Sequence, residues 1–108
     1  MSIMMLRTPE VRQTEQFAKW RKSVRDPIAK RAIHVRITRL GMGLLGDCKR
    51  IGNISELRID VGAGYRVYFT KKKNEIILLL VGGDKSSQDK DIKLAQELAK
   101  EDVIFSRE

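Results

Sequence analysis

Apolar and polar residues alternate through the middle of the chain, a pattern typical of strands with one buried face. Apolar residues occupy every second position on both sides of a glycine-rich turn at 62–64: Leu57, Ile59, Val61, Tyr65, Val67 and Phe69. After a basic turn at 71–74, residues 76–81 are all apolar, which predicts a third strand that is covered on both faces. Gly82 and Gly83 are expected to end that strand.

Two helices are predicted upstream of these strands. Thr14 is a suitable N-cap for a helix over residues 15–24, in which apolar residues recur with helical spacing. Asp26-Pro27 is a strong start for a second helix, because Asp caps and Pro tolerates the first turn, and Gly41 and Gly43 end it. The short connection predicts that the two helices form an antiparallel hairpin.

The remaining segments complete a single domain over residues 1–108. Residues 4–10 carry a weak strand pattern, and residues 46–53 are predicted to be a loop with a short strand at most. Ser86 and Asp89 resemble a capping box for a last helix that extends to about residue 100. The predicted fold is therefore α+β, with an N-terminal strand, a helix hairpin, a three-stranded antiparallel meander and a C-terminal helix.

The turn at 62–64 restricts which residues of its two strands face each other. If Asp60 pairs with Gly64, Arg58 lies opposite Arg66. A shift of the register by two residues places Arg58 opposite Tyr68 instead. A shift by one residue would bury a charge, so Arg58, Arg66 and Tyr68 share one polar face in both allowed registers.

Two arginines that face each other on a sheet repel, and a bound anion would relieve that repulsion. The planar guanidinium group stays charged and binds phosphate through two parallel hydrogen bonds. Alternatively, Glu56 and Asp60, which belong to the same face, neutralise both arginines. The sequence alone leaves both interpretations open.

A second candidate anion site follows the last strand. In residues 82–86, exposed backbone amides at a helix start and the ammonium group of Lys85 would attract an anion. An ordinary turn with an N-cap explains the same residues, and the local sequence favours that simpler interpretation because it lacks the spacing of a Walker loop.

The charge of the chain favours a polyanionic partner. The net charge is +8, and residues 1–80 hold 17 Lys/Arg against 7 Asp/Glu. Such a field concentrates nucleic acid or an acidic protein near the surface. Five basic residues flank the predicted sheet and would grip RNA phosphates, unless they are merely solvated turns: Lys49, Arg50, Lys71, Lys72 and Lys73.

Other chemistry has little support in the residues. The chain has one cysteine, Cys48, and one histidine, His34, so neither an internal disulfide nor a metal site is expected, and no cofactor is predicted. His34 is interpreted as a surface or packing residue, and Cys48 as an inert thiol. No apolar run approaches the length of a membrane span, and no signal-peptide pattern is found, so we expect a cytoplasmic protein.

Several motifs together resemble the HigB-like "addiction module killer" branch of the RelE/ParE superfamily of toxins. The motifs are ELRID at 56–60, GYRVYF at 64–69 and GGDKSSQDKDI at 82–92, with Phe17-x-x-Trp20, Arg39-Leu40-x-x-Gly43 and Gly46-Asp47 upstream. The resemblance covers nearly the whole chain. It implies an antiparallel sheet with a helix hairpin packed on it, and a small antitoxin, often of the helix-turn-helix type, that neutralises the toxin.

The activity that the resemblance implies is one of two. RelE-like toxins cleave mRNA, commonly in the ribosomal A site, whereas ParE-like toxins inhibit DNA gyrase and are not nucleases. A third interpretation, a nucleic-acid-binding domain without catalysis, also fits the charge. The candidate function is a metal-independent, ribosome-associated mRNA endonuclease, with the toxin that inhibits gyrase and the binding domain as alternatives.

The resemblance also suggests catalytic residues. Arg66 matches the arginine of the GYR motif, Arg58 matches a basic position on the preceding strand, and Lys85 matches a cation after the last strand. The final helix departs from the family pattern, since it has neither the tyrosine of RelE-like toxins nor the late histidine of other HigB proteins. Tyr68, Asp84 and a lysine with a lowered pKa are the candidate general bases.

Overall fold

The computed structural model describes residues 9–73, 75–101 and 106–107. The strands are β1 Glu10–Gln13, β2 Cys48–Ile51, β3 Ile54–Ile59, β4 Tyr65–Lys72, β5 Ile76–Asp84 and β6 Ser106–Arg107. The helices are α1 Glu15–Ser23, α2 Pro27–Gly41 and α3 Gln88–Lys100, and a 3₁₀ helix at Lys85–Ser87 precedes α3. None of the helices in these ranges combines the length and hydropathy that a membrane span requires.

The strands form one mixed sheet in the order β2-β3-β4-β5-β1-β6. Neighbours from β2 to β5 are antiparallel, and β1 pairs in parallel with β5. The predicted α+β class is confirmed, but the meander has four strands rather than three, because residues 48–51 pair with β3. Of the strand predicted at 4–10, residues 4–8 lie outside the described part of the chain, and the first described strand begins at Glu10.

The predicted starts of α1 and α2 are confirmed. The hydroxyl of Thr14 accepts a hydrogen bond from the backbone N–H of Phe17 at 3.0 Å and donates one to the carbonyl of Leu80 at 2.6 Å. The carboxylate of Asp26 accepts from the N–H of Ile28 at 3.0 Å. Because Thr14 bonds to both α1 and β5, this cap also fixes the helix to the centre of the sheet.

The sheet separates two hydrophobic clusters. On one face, which we call the hairpin face, α1 and α2 pack on apolar residues of β3, β4 and β5, including Leu57, Val67 and Phe69. On the other, which we call the α3 face, Ala95, Leu98 and Ala99 of α3 pack on the strands. These three α3 residues are buried, and the central strand β5 is covered on both sides as predicted.

The prediction that Gly82 and Gly83 end the third strand is wrong, since β5 continues to Asp84. The two glycines are needed for close packing rather than for a turn. A Cβ atom on Gly82 would lie 2.0 Å from the Trp20 ring of α1, and one on Gly83 would lie 1.9 Å from the Asp91 carboxylate of α3. One glycine therefore admits α1 on the hairpin face, and the other admits α3 on the opposite face.

The predicted capping box of Ser86 and Asp89 is also wrong. Asp84 accepts the hydrogen bond from the N–H of Ser86 at 2.8 Å and so caps the 3₁₀ helix instead. The hydroxyl of Ser87 donates to Asp91 one turn into α3, at 2.5 Å. The start of α3 is therefore shifted towards Gln88, and two carboxylates lie close to its first turn.

Candidate functional site

The register of the β3–β4 hairpin agrees with the first of the two predicted alternatives. Arg58 pairs with Arg66, and Leu57 pairs with Val67. The two arginines therefore lie side by side on the α3 face, with Leu57 and Val67 directed to the opposite cluster. The N–H of Gly64 donates to the carbonyl of Val61 at 3.0 Å and closes the turn.

A polar face of a sheet is expected to be open to solvent, but α3 crosses the face that these arginines share. Tyr68 is fully buried and Arg66 is 9% exposed, whereas the side chain of Arg58, further from the helix, is 39% exposed. The prediction of an exposed polar face is thus wrong for Tyr68. The alternating pattern identified the shared face correctly, but it carries no information about which helix covers that face.

A buried carboxylate, Glu56, lies at the centre of the site and is 1% exposed. It accepts hydrogen bonds from the hydroxyl of Tyr68 at 3.0 Å and the side-chain amide of Gln88 at 2.9 Å. Its two oxygens lie 3.8 Å from the Nε atoms of Arg58 and Arg66. Glu56 therefore serves as a counter-charge for both arginines, as one of the sequence interpretations proposed.

The second carboxylate that was expected to neutralise the arginines, Asp60, is exposed at the end of the hairpin and makes no ion pair among the described residues. Asp47 takes that place, with its Oδ1 atom 3.3 Å from the Nε of Arg58. Arg36 of α2 holds the loop that carries Asp47, through bonds to the carbonyls of Leu45 and Asp47 at 3.1 and 3.2 Å. Sequence reasoning missed Arg36 and Asp47, whose roles depend on how the α2–β2 loop returns to the sheet.

The two arginines are paired with carboxylates but not locked to them. Their Nε–oxygen separations of 3.3 and 3.8 Å exceed the length of about 2.8 Å that a charge-assisted hydrogen bond prefers. Both Nε atoms are buried and have no hydrogen-bond partner within the described ranges. These ion pairs and a bond of 3.4 Å from Arg66 Nη1 to the carbonyl of Tyr65 hold the guanidinium groups, and Arg58 still presents part of its side chain to solvent.

Lys85 lies beside the same hairpin. A Cβ atom on Gly64 would lie 2.8 Å from Cε of Lys85, so the absence of a side chain at Gly64 lets the lysine stem lie over the turn. Lys85 itself is exposed. Lys85 therefore lies at the turn that precedes β4, the strand of Arg66. We call Arg58, Arg66 and Lys85, with Glu56 behind them, the arginine cluster.

The backbone amides after β5 do not form the open anion site that was considered for them. Asp84 accepts hydrogen bonds from both the N–H and the hydroxyl of Ser86, and these bonds lower the pKa of the Asp84 carboxyl. The backbone N–H of Ser86 therefore already donates to a carboxylate and is not available to an added anion. The simpler interpretation, a turn with a side-chain cap, is the one that the structure agrees with.

Tyr68 is poorly suited to act as a general base. Burial, together with the neighbouring Glu56 carboxylate, raises the pKa of its hydroxyl above its ordinary value. Its hydroxyl donates a hydrogen bond to Glu56 at 3.0 Å, and none of its surface is exposed. Tyr68 therefore positions the carboxylate behind the arginines and does not reach a bound molecule from where it lies.

The five basic residues predicted to grip RNA separate into different environments. Lys49, Arg50, Lys71 and Lys73 are exposed, and Arg50 and Lys71 line one cavity. Lys72 instead donates to the carbonyl of Ala99 at 2.8 Å near the end of α3. Lys72, in the last position of β4, therefore has a structural role that the basic composition of this segment did not indicate.

The lone histidine and cysteine lie apart from the arginine cluster. His34 is exposed on α2, with its Nδ1 atom 3.2 Å from an Arg21 Nη atom, so its interpretation as a surface residue is confirmed. Cys48 is half-buried, and burial raises the pKa of its thiol, which keeps it protonated at neutral pH.

Comparison with known proteins identifies a relative of this chain. No protein-family model matches it. It is 46% identical over 95 residues to a Haemophilus influenzae protein described as uncharacterized, and the match covers 87% of this chain and 96% of the relative. At that identity and coverage the two chains share a fold and descent, so this chain belongs to the same family as the Haemophilus influenzae protein.

Proposed function

We propose that the protein is the toxin of a type II toxin–antitoxin module, and that it cleaves mRNA in association with the ribosome without a metal ion. The observation that carries this proposal is the pairing of Arg58 with Arg66 directly across the β3–β4 hairpin, with Lys85 at the adjacent turn. The resemblance of nearly the whole chain to the HigB-like branch of the RelE/ParE toxins supports it.

The charge balance of the arginine cluster suits a phosphodiester. Three cations converge there, and Glu56 and Asp47 are the carboxylates that form ion pairs with them among the residues described. A phosphate lying across Arg58 and Arg66 would supply the missing negative charge and accept hydrogen bonds from their Nη atoms. Because Glu56 is buried beneath them, the guanidinium groups are already oriented before RNA arrives.

The reaction is an internal transesterification. The 2′-hydroxyl attacks the adjacent phosphorus, the bond from phosphorus to the 5′-oxygen breaks, and the products carry a 2′,3′-cyclic phosphate and a 5′-hydroxyl. Arg58 and Arg66 stabilise the charge that develops on the phosphorane, and each well-placed donor of this kind contributes about 3–4 kcal/mol. Lys85, which is exposed, protonates the departing 5′-oxygen, and the proton of the 2′-hydroxyl passes to water.

The proposal includes a cognate antitoxin of the helix-turn-helix type that binds the toxin and prevents growth arrest. The net charge of +8 favours an acidic binding partner. This element of the proposal is tested separately, by co-expression with the reading frame next to the toxin gene. Rescue of growth supports it, and continued arrest in the presence of that protein contradicts it.

Induced expression in bacteria tests the nuclease proposal. We expect growth arrest with the native chain, together with new mRNA 5′ ends in primer extension. Arg66→Ala should abolish both effects, because losing one transition-state donor slows cleavage by about 10²–10³-fold. Lys22→Ala is the control, since Lys22 is an exposed cation of α1 that lies beside Gln13 of β1, and β1 is adjacent to neither strand of the arginine pair.

Arg66→Lys separates the loss of catalysis from a loss of folding. It keeps the positive charge beside Glu56, so the circular dichroism and melting temperature should stay close to those of the native chain. A lysine cannot form the paired hydrogen bonds of a guanidinium group, so toxicity should still fall. Full toxicity in both Arg66 variants would contradict the proposed mechanism.

A second candidate function is inhibition of a protein such as DNA gyrase, without cleavage of RNA. It is favoured by a groove of about 450 Å³ along α2, in which Ile28 is 70% exposed and the arginines Arg31 and Arg39 contribute cations. An exposed apolar side chain with a charged rim is typical of protein-binding surfaces. Growth arrest with DNA damage and intact mRNA would favour this function over the nuclease.

A further inference from the structure

A cavity of about 540 Å³ opens next to the edge strand β2 and is also lined by residues of the neighbouring strands β3 and β4. Its lining includes Arg50, Lys71, Ser55, Thr70 and Cys48. We call it the edge cleft. Its volume falls within the range of about 300–1,000 Å³ that is usual for small-molecule sites.

The pairing of the strands directs two cations into this cleft. Arg50 pairs with Ser55, and Ser55 pairs with Phe69, which packs in the cluster of the hairpin face. Because alternate residues of a strand share a face, Lys71 lies on the same side as Phe69. Lys49 pairs with Glu56 and therefore belongs to the opposite face. The edge cleft and the arginine cluster thus lie on different sides of the sheet.

The cations of the edge cleft have no counter-charge in its walls. No Asp or Glu is among the residues that line it, and the raised pKa of Cys48 keeps that thiol uncharged at neutral pH. The Nε of Arg50 donates to the carbonyl of Gly52 at 2.9 Å, which positions the guanidinium group over the β2–β3 turn. Within the described part of the chain, no ion pair engages Arg50 or Lys71.

The rest of the lining matches the other parts of a nucleotide. Ser55, which pairs with Arg50 and shares its face, carries a hydroxyl group that can contact a ribose, and Leu45, which is 41% exposed, offers an apolar surface to a base. We propose that the edge cleft binds a nucleotide, with its phosphate between Arg50 and Lys71. This site is distinct from the arginine cluster and does not depend on the proposed cleavage of RNA.

The only cysteine of the chain lines the cleft, so it reports on occupancy in the native protein. The experiment measures the rate at which a maleimide modifies Cys48. The rate is measured without any addition and in the presence of AMP, a short single-stranded RNA, inorganic phosphate or a tetraglutamate peptide. We expect AMP and the RNA to slow modification, and the lower half-effective concentration tells whether a free nucleotide or an RNA chain is preferred. Phosphate should be needed at higher concentration, and the peptide should have no effect.

Variants with close controls test which cations are responsible. Arg50→Gln and Lys71→Gln should each raise the half-effective nucleotide concentration about tenfold, the usual effect of one charge-assisted hydrogen bond. Lys49 is one residue from Arg50 but lies on the opposite face. Lys49→Gln should change the half-effective nucleotide concentration by less than about twofold, since the substitution alters only the long-range electrostatic potential at the cleft. Lys73→Gln is the control for Lys71, because Lys73 is exposed beyond the end of β4 and does not line the cleft.

The proposal is overturned if no nucleotide protects Cys48, if the peptide protects at lower concentration than AMP, or if phosphate protects as well as AMP. Equal effects of Arg50→Gln and Lys49→Gln would also overturn it, because they would indicate general attraction by the basic surface. All of these results leave the arginine cluster untested. Conversely, loss of toxicity in Arg66→Ala says nothing about the edge cleft, so the two proposals fail independently.

Discussion

Two groups of cations lie on opposite faces of the sheet, and they differ in whether a carboxylate lies beside them. In the arginine cluster, the buried carboxylate of Glu56 lies 3.8 Å from both Arg58 and Arg66. In the edge cleft, the walls around Arg50 and Lys71 contain no carboxylate. The sheet therefore presents one set of cations that has a buried counter-charge and another that has no carboxylate beside it.

This difference suggests different uses for the two groups. Stabilising a transition state requires donors that are oriented before the reaction, and a buried counter-charge with its own hydrogen bonds provides that orientation. Binding a ligand requires only that cations can reach it, at some cost in side-chain order. We therefore assign chemistry to the arginine cluster and binding to the edge cleft, and each prediction below tests a part of that contrast.

The largest expected effect is that of Glu56→Ala. The substitution leaves Arg66, which is almost buried, without its counter-charge, and removes the acceptor of Tyr68 and Gln88. Breaking a buried charge pair in this way costs about 3–5 kcal/mol, and we expect a loss near the lower end because Arg58 is partly exposed.

Urea unfolding followed by circular dichroism measures this loss. Glu97→Ala is the control, since Glu97 is exposed on the same helix that covers Glu56. A loss below about 1 kcal/mol for Glu56→Ala would mean that the carboxylate does not hold the arginines, and the contrast between the two groups would disappear.

The next largest effects are expected from substitutions of the neighbouring residues Gly82 and Gly83, which face opposite sides of the sheet. Gly82→Ala forces a methyl group into the ring of Trp20, and Gly83→Ala forces one into the carboxylate of Asp91. Each should cost about 1–3 kcal/mol, the range for overpacking. Only Gly82→Ala should alter the fluorescence of Trp20, the single tryptophan, because only that glycine faces α1. Similar spectra for the two variants would contradict the assignment of the faces.

A smaller effect is expected when the ionisation of Tyr68 lowers the free energy of unfolding at alkaline pH. Its pKa is raised in the folded state above the ordinary value of 10.0, so the folded protein retains a proton that the unfolded chain loses. The stabilisation is complete below pH 10.0 and declines as the pH rises towards the folded pKa, by at most about 1.4 kcal/mol per pH unit.

Urea unfolding at a series of alkaline pH values measures this decline. Tyr68→Phe should flatten it, whereas Tyr65→Phe, which removes the other tyrosine, should leave it in place. An unchanged decline in Tyr68→Phe would show that the buried hydroxyl is not the group that titrates.

The smallest effect separates Lys72 from its neighbour Lys71. Lys72→Gln removes the bond from its ammonium group to the carbonyl of Ala99 near the end of α3, and should cost about 1 kcal/mol. Lys71→Gln should change the free energy of unfolding by less than about 0.5 kcal/mol, because Lys71 lies exposed in the edge cleft. Thermal melts of the two variants measure the difference, and equal losses would contradict the structural role of Lys72.

Much of the local structure could be predicted because short-range chemistry determines it. The N-caps Thr14 and Asp26 have their predicted roles, since a hydroxyl or carboxylate before a helix has few other local partners. The shared face of Arg58, Arg66 and Tyr68 followed from the turn and from the rule that a shift by one residue reverses every side chain, whereas the choice of Arg66 over Tyr68 as the partner of Arg58 stayed open.

The errors arose where distant segments meet. Gly82 and Gly83 were interpreted as a strand end, because a pair of glycines looks the same locally whether it turns the chain or lets two helices approach. Likewise, the polar pattern around Tyr68 gave no sign that α3 covers it. The partners Gln88 and Asp47, which complete the site around Glu56 and Arg58, come from segments far away along the chain.

The chemistry of the RNA ends tests the central claim, that cations alone promote attack by the 2′-hydroxyl at the arginine cluster. RNA is isolated after induction of the native chain, and the new 5′ ends are assayed for ligation with and without prior phosphorylation by a kinase. The account predicts 5′-hydroxyl ends, which ligate only after phosphorylation. New ends that carry a 5′-phosphate would indicate attack by water instead and would contradict it, as would growth arrest without new ends.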